Sequence, residues 1–187
     1  MEEERQLIER CIRGESDARK TVYVLHAEAM MSVCQRYVCN RETALDLLHD
    51  GFVKLFTKIN TYQGVGSFNG WMKKIFVTTA LEHIRRYDIL QGSVDIDDED
   101  FDCCDEEPDI SLFDSLSADD LFDCVANLPD KCRTIFNMHA IEEYTHMEIA
   151  NELDISINTS KSQYAYAKQL LQKMVLESAN RLRAAGG

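Results

Sequence analysis

The sequence predicts an all-α protein: two small helical domains joined by an acidic linker. Three observations carry this. Only two prolines and eight glycines occur in 187 residues, so few positions interrupt a helix. Apolar residues recur at helical spacing, and residues 1–90 show no alternating strand pattern. Charge is also unevenly placed. Residues 91–117 hold eleven Asp or Glu and no Lys or Arg, whereas residues 1–90 have net charge +1 and residues 118–187 net charge −3. Like charges this dense repel and resist packing, which predicts an extended linker from Gln91 to Ser117 between domains at 1–90 and 118–187.

The N-terminal domain reads as four helices. Glu4 to Arg13 forms the first, closed by Gly14. Ser16 or Asp17 caps a long second helix to about Cys39. A third starts at Arg41 or Thr43, with Ala44, Leu47, Leu48, Phe52, Leu55, Phe56 and Ile59 in one stripe. Its other face shows Asp46, His49, Asp50 and Lys54. A glycine-bearing loop, Thr61 to Gly70, precedes a fourth helix from Trp71 to Arg86 or beyond.

In the C-terminal domain, a helix at about Ala118–Ala126 leads. Leu128-Pro129 opens the next, with proline at a first-turn position where its missing N–H costs little; this helix carries Cys132, Ile135, Phe136 and Met138. Thr145-His146-Met147-Glu148 is a capping box, a hydroxyl followed three residues later by a carboxylate. Met147, Ile149, Ala150 and Leu153 follow at helical spacing, Asp154-Ile155-Ser156 breaks the helix, and another starts near Asn158-Thr159. Helices joined by so short a turn cross steeply and present the second outward, the arrangement of a DNA-binding helix-turn-helix.

Composition excludes several function classes. No stretch reaches about 18 apolar residues, so no membrane span is expected. The start, Met1-Glu2-Glu3-Glu4-Arg5, lacks a signal-peptide pattern, and a cytoplasmic protein is expected. The seven cysteines are odd in number and form no CxxC pair, which suits free thiols, mostly buried; Cys103-Cys104, in the acidic stretch, leaves a redox role open. Asp95, Asp97, Glu99 and Glu106 fall at calcium-loop spacing, but Asp100 stands where the turn glycine belongs. His49 has no second ligand at i+3 or i+4, so neither metal nor cofactor is expected. There is no glycine-rich phosphate loop, no HExxH and no nucleophile elbow, hence no catalytic set.

Spacing along the last helix turns Ser160, Tyr164, Ala167 and Leu171 inward and exposes Thr159, Lys161, Ser162, Gln163 and Tyr166, with Lys168 near phosphate. Lysine and glutamine reach guanine and adenine edges in a major groove. The Thr61–Gly70 loop is either a plain helix connection or a place where unstacked bases are held by Tyr62 and Phe68 and read by Ser67 and Asn69. Trp71 is either core or a stacking wedge, and Lys73, Lys74, Arg85 and Arg86 would neutralise phosphates beside it.

Motifs in this order resemble the sigma factors of the extracytoplasmic-function type, two-domain members of the sigma-70 family. Asp46-Leu47-Leu48-His49-Asp50-Gly51-Phe52 is similar to the family's D-L-V-Q-E-x-F helix. Ser67-Phe68-Asn69-Gly70-Trp71-Met72-Lys73-Lys74-Ile75 resembles S-F-x-x-W-L-x-x-I, and Glu82-His83-Ile84-Arg85-Arg86 resembles D-x-L-R-R. Leu128-Pro129, Glu148-Ile149-Ala150 and Thr159-Ser160-Lys161-Ser162 fit L-P, E-I-A and T-V-K-S. His49 stands for glutamine, Thr78 for asparagine, and Gln163 and Tyr166 occupy frequently basic positions.

The resemblance implies a transcription initiation factor, with core RNA polymerase and promoter DNA as partners and commonly an anti-sigma factor, often membrane-anchored. It implies that Asp46, Leu47, His49, Asp50 and Phe52 bind polymerase, although composition alone reads Asp46, His49 and Asp50 as a solvated face and Leu47 and Phe52 as core. Tyr62, Ser67, Phe68, Asn69, Trp71, Lys73, Lys74, Arg85 and Arg86 would act on the −10 element. Thr159, Lys161, Ser162, Gln163, Tyr166 and Lys168 would read the −35 element. The acidic linker is a tether or, with Phe101, Ile110 and Phe113, a mimic of a polyanionic strand in a basic channel. A stand-alone helix-turn-helix regulator is the alternative. A C-terminal domain of net charge −3 should bind DNA weakly by itself, and strongly only when polymerase holds both domains on one DNA.

Overall fold

A computed structural model describes residues 2–86 and 118–185. The chain divides into two units, Met1–Tyr87 and Asp88–Gly187. Every regular element among the described residues is helical. The acidic stretch, with its calcium-like spacing and Cys103-Cys104, lies outside those residues.

In the first unit, α1 (Glu2–Ile12) meets α2 (Ser16–Tyr37) through a turn at Gly14, whose φ of +82° suits a residue without a Cβ. Glu15 fixes this turn by pairing with Arg10 at 2.7 Å and Arg13 at 2.9 Å. α3 (Arg41–Lys58) is capped by Asn40, whose side chain accepts from the Glu42 and Thr43 amides at 2.8 and 3.0 Å. Arg41, one of the two expected starts, is the first residue of α3, and the cap stands one place before it. The α3 stripe is core as its period required: Ala44, Leu47, Leu48, Phe52, Leu55 and Ile59 are buried and Phe56 half-buried. Each large member contributes roughly 1.5–3 kcal/mol by leaving water.

α4 (Phe68–Arg86) begins three residues before Trp71, where the sequence placed its start. Ser67 supplies the reason: its Oγ accepts from the Gly70 amide at 3.0 Å and satisfies one of the helix's free donors. Met72, Phe76, Val77, Ala80, Leu81 and Ile84 are buried against α2 and α3.

In the second unit, α5 (Ala118–Ala126), α6 (Asp130–Phe136) and α8 (Ile157–Ala185) enclose Cys124, Leu128, Cys132, Ala167, Leu171 and Val175, and α7 (His146–Leu153) packs on α8. Pro129 is the residue before α6, one place outside the helix. Arg133 is only 5 % exposed; it donates to the carbonyls of Ala126 and Leu128 and pairs with Asp130, closing the α5–α6 corner. A π turn, Asn137–Ile141, leads out of α6.

Cys11, Cys34, Cys124 and Cys132 are buried thiols outside any disulfide, and Cys39 is an exposed one. Burial pushes the Cys34 thiol up to about 12 and the Cys132 thiol up to about 11, so both stay protonated and inert near neutrality. Among the described residues, no helix is long and apolar enough to cross a membrane.

Candidate nucleic-acid and polymerase interface

The helix-turn-helix is built from local hydrogen bonds. Glu148 accepts from the Thr145 amide at 2.8 Å, while the Thr145 hydroxyl accepts from the Glu148 amide at 3.2 Å, completing the capping box. α7 buries Ile149, Ala150 and Leu153 but leaves Met147 61 % exposed. Asp154, in the left-handed region at φ +54°, stops α7. Ser156 restarts the chain, its Oγ accepting from the Thr159 amide at 2.9 Å, so α8 begins at Ile157, slightly before the expected point.

Aromatic contacts then fix the crossing of α7 and α8. The rings of His139 and His146 stack at 4.2 Å, and Tyr164 of α8 meets His139 edge-on at 4.6 Å. His146 Nδ1 lies 2.9 Å from the Ser160 hydroxyl. Burial holds the His146 imidazole below its ordinary range, and His139, Lys161 and Lys168 push it the same way.

In the first unit, the 62–70 segment is organised by an aromatic cluster. Tyr62 lies 5.3 Å from both Phe68 and Trp71, and Phe68 and Trp71 stack at 5.8 Å. The Tyr62 hydroxyl donates to the Gly66 carbonyl at 2.9 Å, which holds the loop closed over Gly64 and Gly66, both at positive φ. Beside this cluster a cavity of about 210 Å³ opens between α3 and α4, lined by Lys54, Lys58, Thr61, Trp71, Lys74 and Thr78 among others. Lys54 pairs across it with Glu82 at 2.6 Å. Cationic donors, hydroxyls and an indole edge suit a nucleotide more than an apolar ligand.

Comparison with known proteins decides what these surfaces belong to. Residues 22–88 match the family model for Sigma-70 region 2, and residues 118–171 match that for Sigma-70, region 4. The chain belongs to the sigma-70 family. Its relatives place it in the extracytoplasmic-function group. It is 23 % identical over 177 residues to the ECF RNA polymerase sigma-E factor of Haemophilus influenzae, covering 90 % of this chain and 93 % of that one. It is 21 % identical over 180 residues to the RNA polymerase sigma-H factor of Pseudomonas aeruginosa, covering 92 % and 93 %. Among solved structures, it is similar to the sigma factor RpoE of Bartonella quintana in complex with the anti-sigma factor NepR, at a TM-score of 0.48, 15 % identity and coverage of 83 % and 95 %. As a sigma factor, the protein directs RNA polymerase to promoters and is not itself an enzyme.

Several residues of this sigma factor lie elsewhere than the sequence suggested. Leu47 and Phe52 are 2 % and 4 % exposed, so they support α3 from within and cannot themselves touch polymerase. Asp46, His49 and Asp50 are exposed on α3, and the same face carries Leu45 at 47 % and Val53 at 52 % exposure. Each stands one residue beyond a stripe member, Ala44 or Phe52, which turns it about 100° away from the core. Phe68 is 2 % exposed, enclosed by Tyr62, Trp71 and the edge of His26, so it cannot stack on a base. Ser67, Asn69, Lys74, Arg85 and Arg86 are exposed, whereas Tyr62, Trp71 and Lys73 are half-buried. Trp71 is thus both cluster member and cavity wall. Lys54 and Lys58 join the site unforeseen; their i,i+4 spacing was the available signal.

The recognition helix is rotated from its expected setting. Gln163 is fully buried, its Oε1 accepting from Cys132 Sγ at 3.0 Å, so it cannot reach a base. Tyr164, expected to face inward, is half-buried instead. Ser162 is 7 % exposed, with its hydroxyl donated to the Thr159 carbonyl at 3.2 Å. Lys161 is exposed; Thr159, Tyr166 and Lys168 are half-buried, and Lys168 Nζ sits 5.1 Å from the Tyr164 ring centre. Ile157 and Asn158 are both exposed in the first turn of α8.

Proposed function

We propose that the lysine-lined cavity between α3 and α4 holds a base or sugar-phosphate of the separated −10 strand, and that α8 reads the −35 element. The cavity carries the reading. Lys58 and Lys74, beside the Lys54–Glu82 pair, converge on one volume with Trp71 as a flat wall, and an exposed polar rim of Ser67 and Asn69 lies in the adjoining turn. An extruded nucleotide needs charge neutralisation, a π-face and edge hydrogen bonds; this site offers all three.

On the same reading, residues 1–90 bind polymerase and act on the −10 element, residues 91–117 connect the domains, and residues 118–187 bind the −35 element. Asp46, His49 and Asp50, with Leu45 and Val53, form the surface offered to polymerase. The protein works where polymerase and chromosome are, in the cytoplasm, and an anti-sigma factor is its expected regulator.

The test is run-off transcription with bacterial core polymerase and a promoter library, plus 2-aminopurine placed at successive −10 positions to report unstacking. Wild-type protein should direct specific starts and unstack one −10 base. Lys58→Ala with Lys74→Ala should lower open-complex formation about tenfold or more at moderate salt. Unaltered opening by the double variant would overturn the assignment of the cavity.

A further inference from the structure

We infer that Asn158 is a base-reading residue of the recognition helix and that it selects adenine at one position of the −35 element. This rests on the proposed −35 role of α8. Four buried residues, Ser160, Gln163, Ala167 and Leu171, define the inward side of that helix. At 100° per residue, the opposite side is the stripe Asn158, Ala165 and Gln169, with Lys161 at its edge. Asn158 and Lys161 are exposed. Asn158 opens the stripe, one residue inside the first turn of α8 (Ile157–Ala185).

In a helix-turn-helix, the N-terminal residues of the second helix approach base edges. Two observations turn that general geometry into a particular residue. Gln163, the carboxamide that spacing alone would choose, is sealed in the core on Cys132. The Asn158 carboxamide makes no hydrogen bond among the described residues and is left free to bond outward. A carboxamide carries one acceptor and one donor side by side, which matches the N6 amino group and N7 of adenine in the major groove. The Ser156–Thr159 cap holds the backbone of this turn, so the short asparagine side chain projects from a fixed point. Lys161, one turn on, offers only donors and suits guanine or a phosphate.

The experiment is selection of −35 sequences by transcription with core polymerase and the full chain, run for wild type, Asn158→Ala, Asn158→Asp and Lys161→Ala. Wild type should enrich adenine at one −35 position. Asn158→Ala should lose that preference by about tenfold and leave other positions unchanged. Asn158→Asp should move the same position toward cytosine, whose amino group a carboxylate accepts. Lys161→Ala should alter a different position or weaken all sequences evenly. If Asn158→Ala and wild type select the same −35 motif, the inference is overturned while the −35 role stands. If wild type directs specific starts yet enriches no −35 base, both fail. An unfolding midpoint for Asn158→Ala equal to wild type excludes a folding defect.

Discussion

The ring of Phe76 occupies the space where Gly51 would carry a side chain: a Cβ built on Gly51 would meet Phe76 Cε1 at 2.3 Å. α3 and α4 therefore touch backbone to ring in the middle of the first unit, and Phe52 meets the same ring edge-on at 5.1 Å. The faces that carry the proposed polymerase surface and the lysine cavity are set by this contact. Gly51→Ala should gain about 1 kcal/mol of helix propensity but lose about 1–3 kcal/mol to overpacking, a net loss of up to about 2 kcal/mol. Trp71 is the single tryptophan of the chain, so its fluorescence in urea reports unfolding of this unit. A variant as stable as wild type would mean that the ring has room to move.

Phe68 and Asn69 are neighbours with opposite duties. Phe68→Ala removes a ring that is 2 % exposed and should cost about 3–5 kcal/mol of stability. Asn69→Ala, at an exposed position, should change stability by less than about 0.5 kcal/mol yet slow promoter opening. Urea titrations beside open-complex kinetics separate the two. Normal stability in Phe68→Ala would contradict its place in the cluster.

Gln163 Nε2 has no hydrogen-bond partner among the described residues, although the side chain is fully buried. An orphaned buried amide donor costs roughly 1–3 kcal/mol. Gln163→Leu should therefore fold as well as wild type or better, and should keep the −35 preference intact. Hydrogen exchange across residues 160–171 and the selected promoter motif are the two readouts. Loss of a base preference in Gln163→Leu would show that the amide leaves the core on DNA.

Acidification should weaken the fold. Burial lowers His26, with Glu4 opposing; burial and then Arg86 lower His83, against Asp46 and Asp50; burial lowers His146, helped by His139, Lys161 and Lys168. Each folded-state value lies below the ordinary histidine value of about 6.5. As pH falls through that value, the unfolded chain takes up protons first. The stability these neutral imidazoles contribute is thus complete above about 6.5 and is lost as pH falls through the folded values. The melting temperature should drop between pH 7.5 and 5.5, and NMR titration should place all three midpoints below that of free histidine. A midpoint above it for His146 would reverse the sign.

Sequence periodicity determined the helices, because a 3.6-residue repeat can be counted along the chain without knowing its partners. The α3 stripe from Ala44 to Ile59, the Thr145–Glu148 capping box and the Pro129 boundary were all legible for that reason. Motif order likewise identified the family. Helix starts differ from the expected ones where a cap lies outside the periodic run, at Ser67 and Ser156. Tertiary structure decided which polar residues remain outside. Gln163 and Phe68 have the chemistry of base contacts, yet one faces Cys132 and the other fills the space between Tyr62 and Trp71. A helical repeat of 100° per residue leaves neighbouring positions at the edge of the core equivalent in sequence. Only packing against α6, and in the first unit against α2 and α3, chooses between Gln163 and Tyr164, or turns Phe68 inward and leaves Asn69 in water.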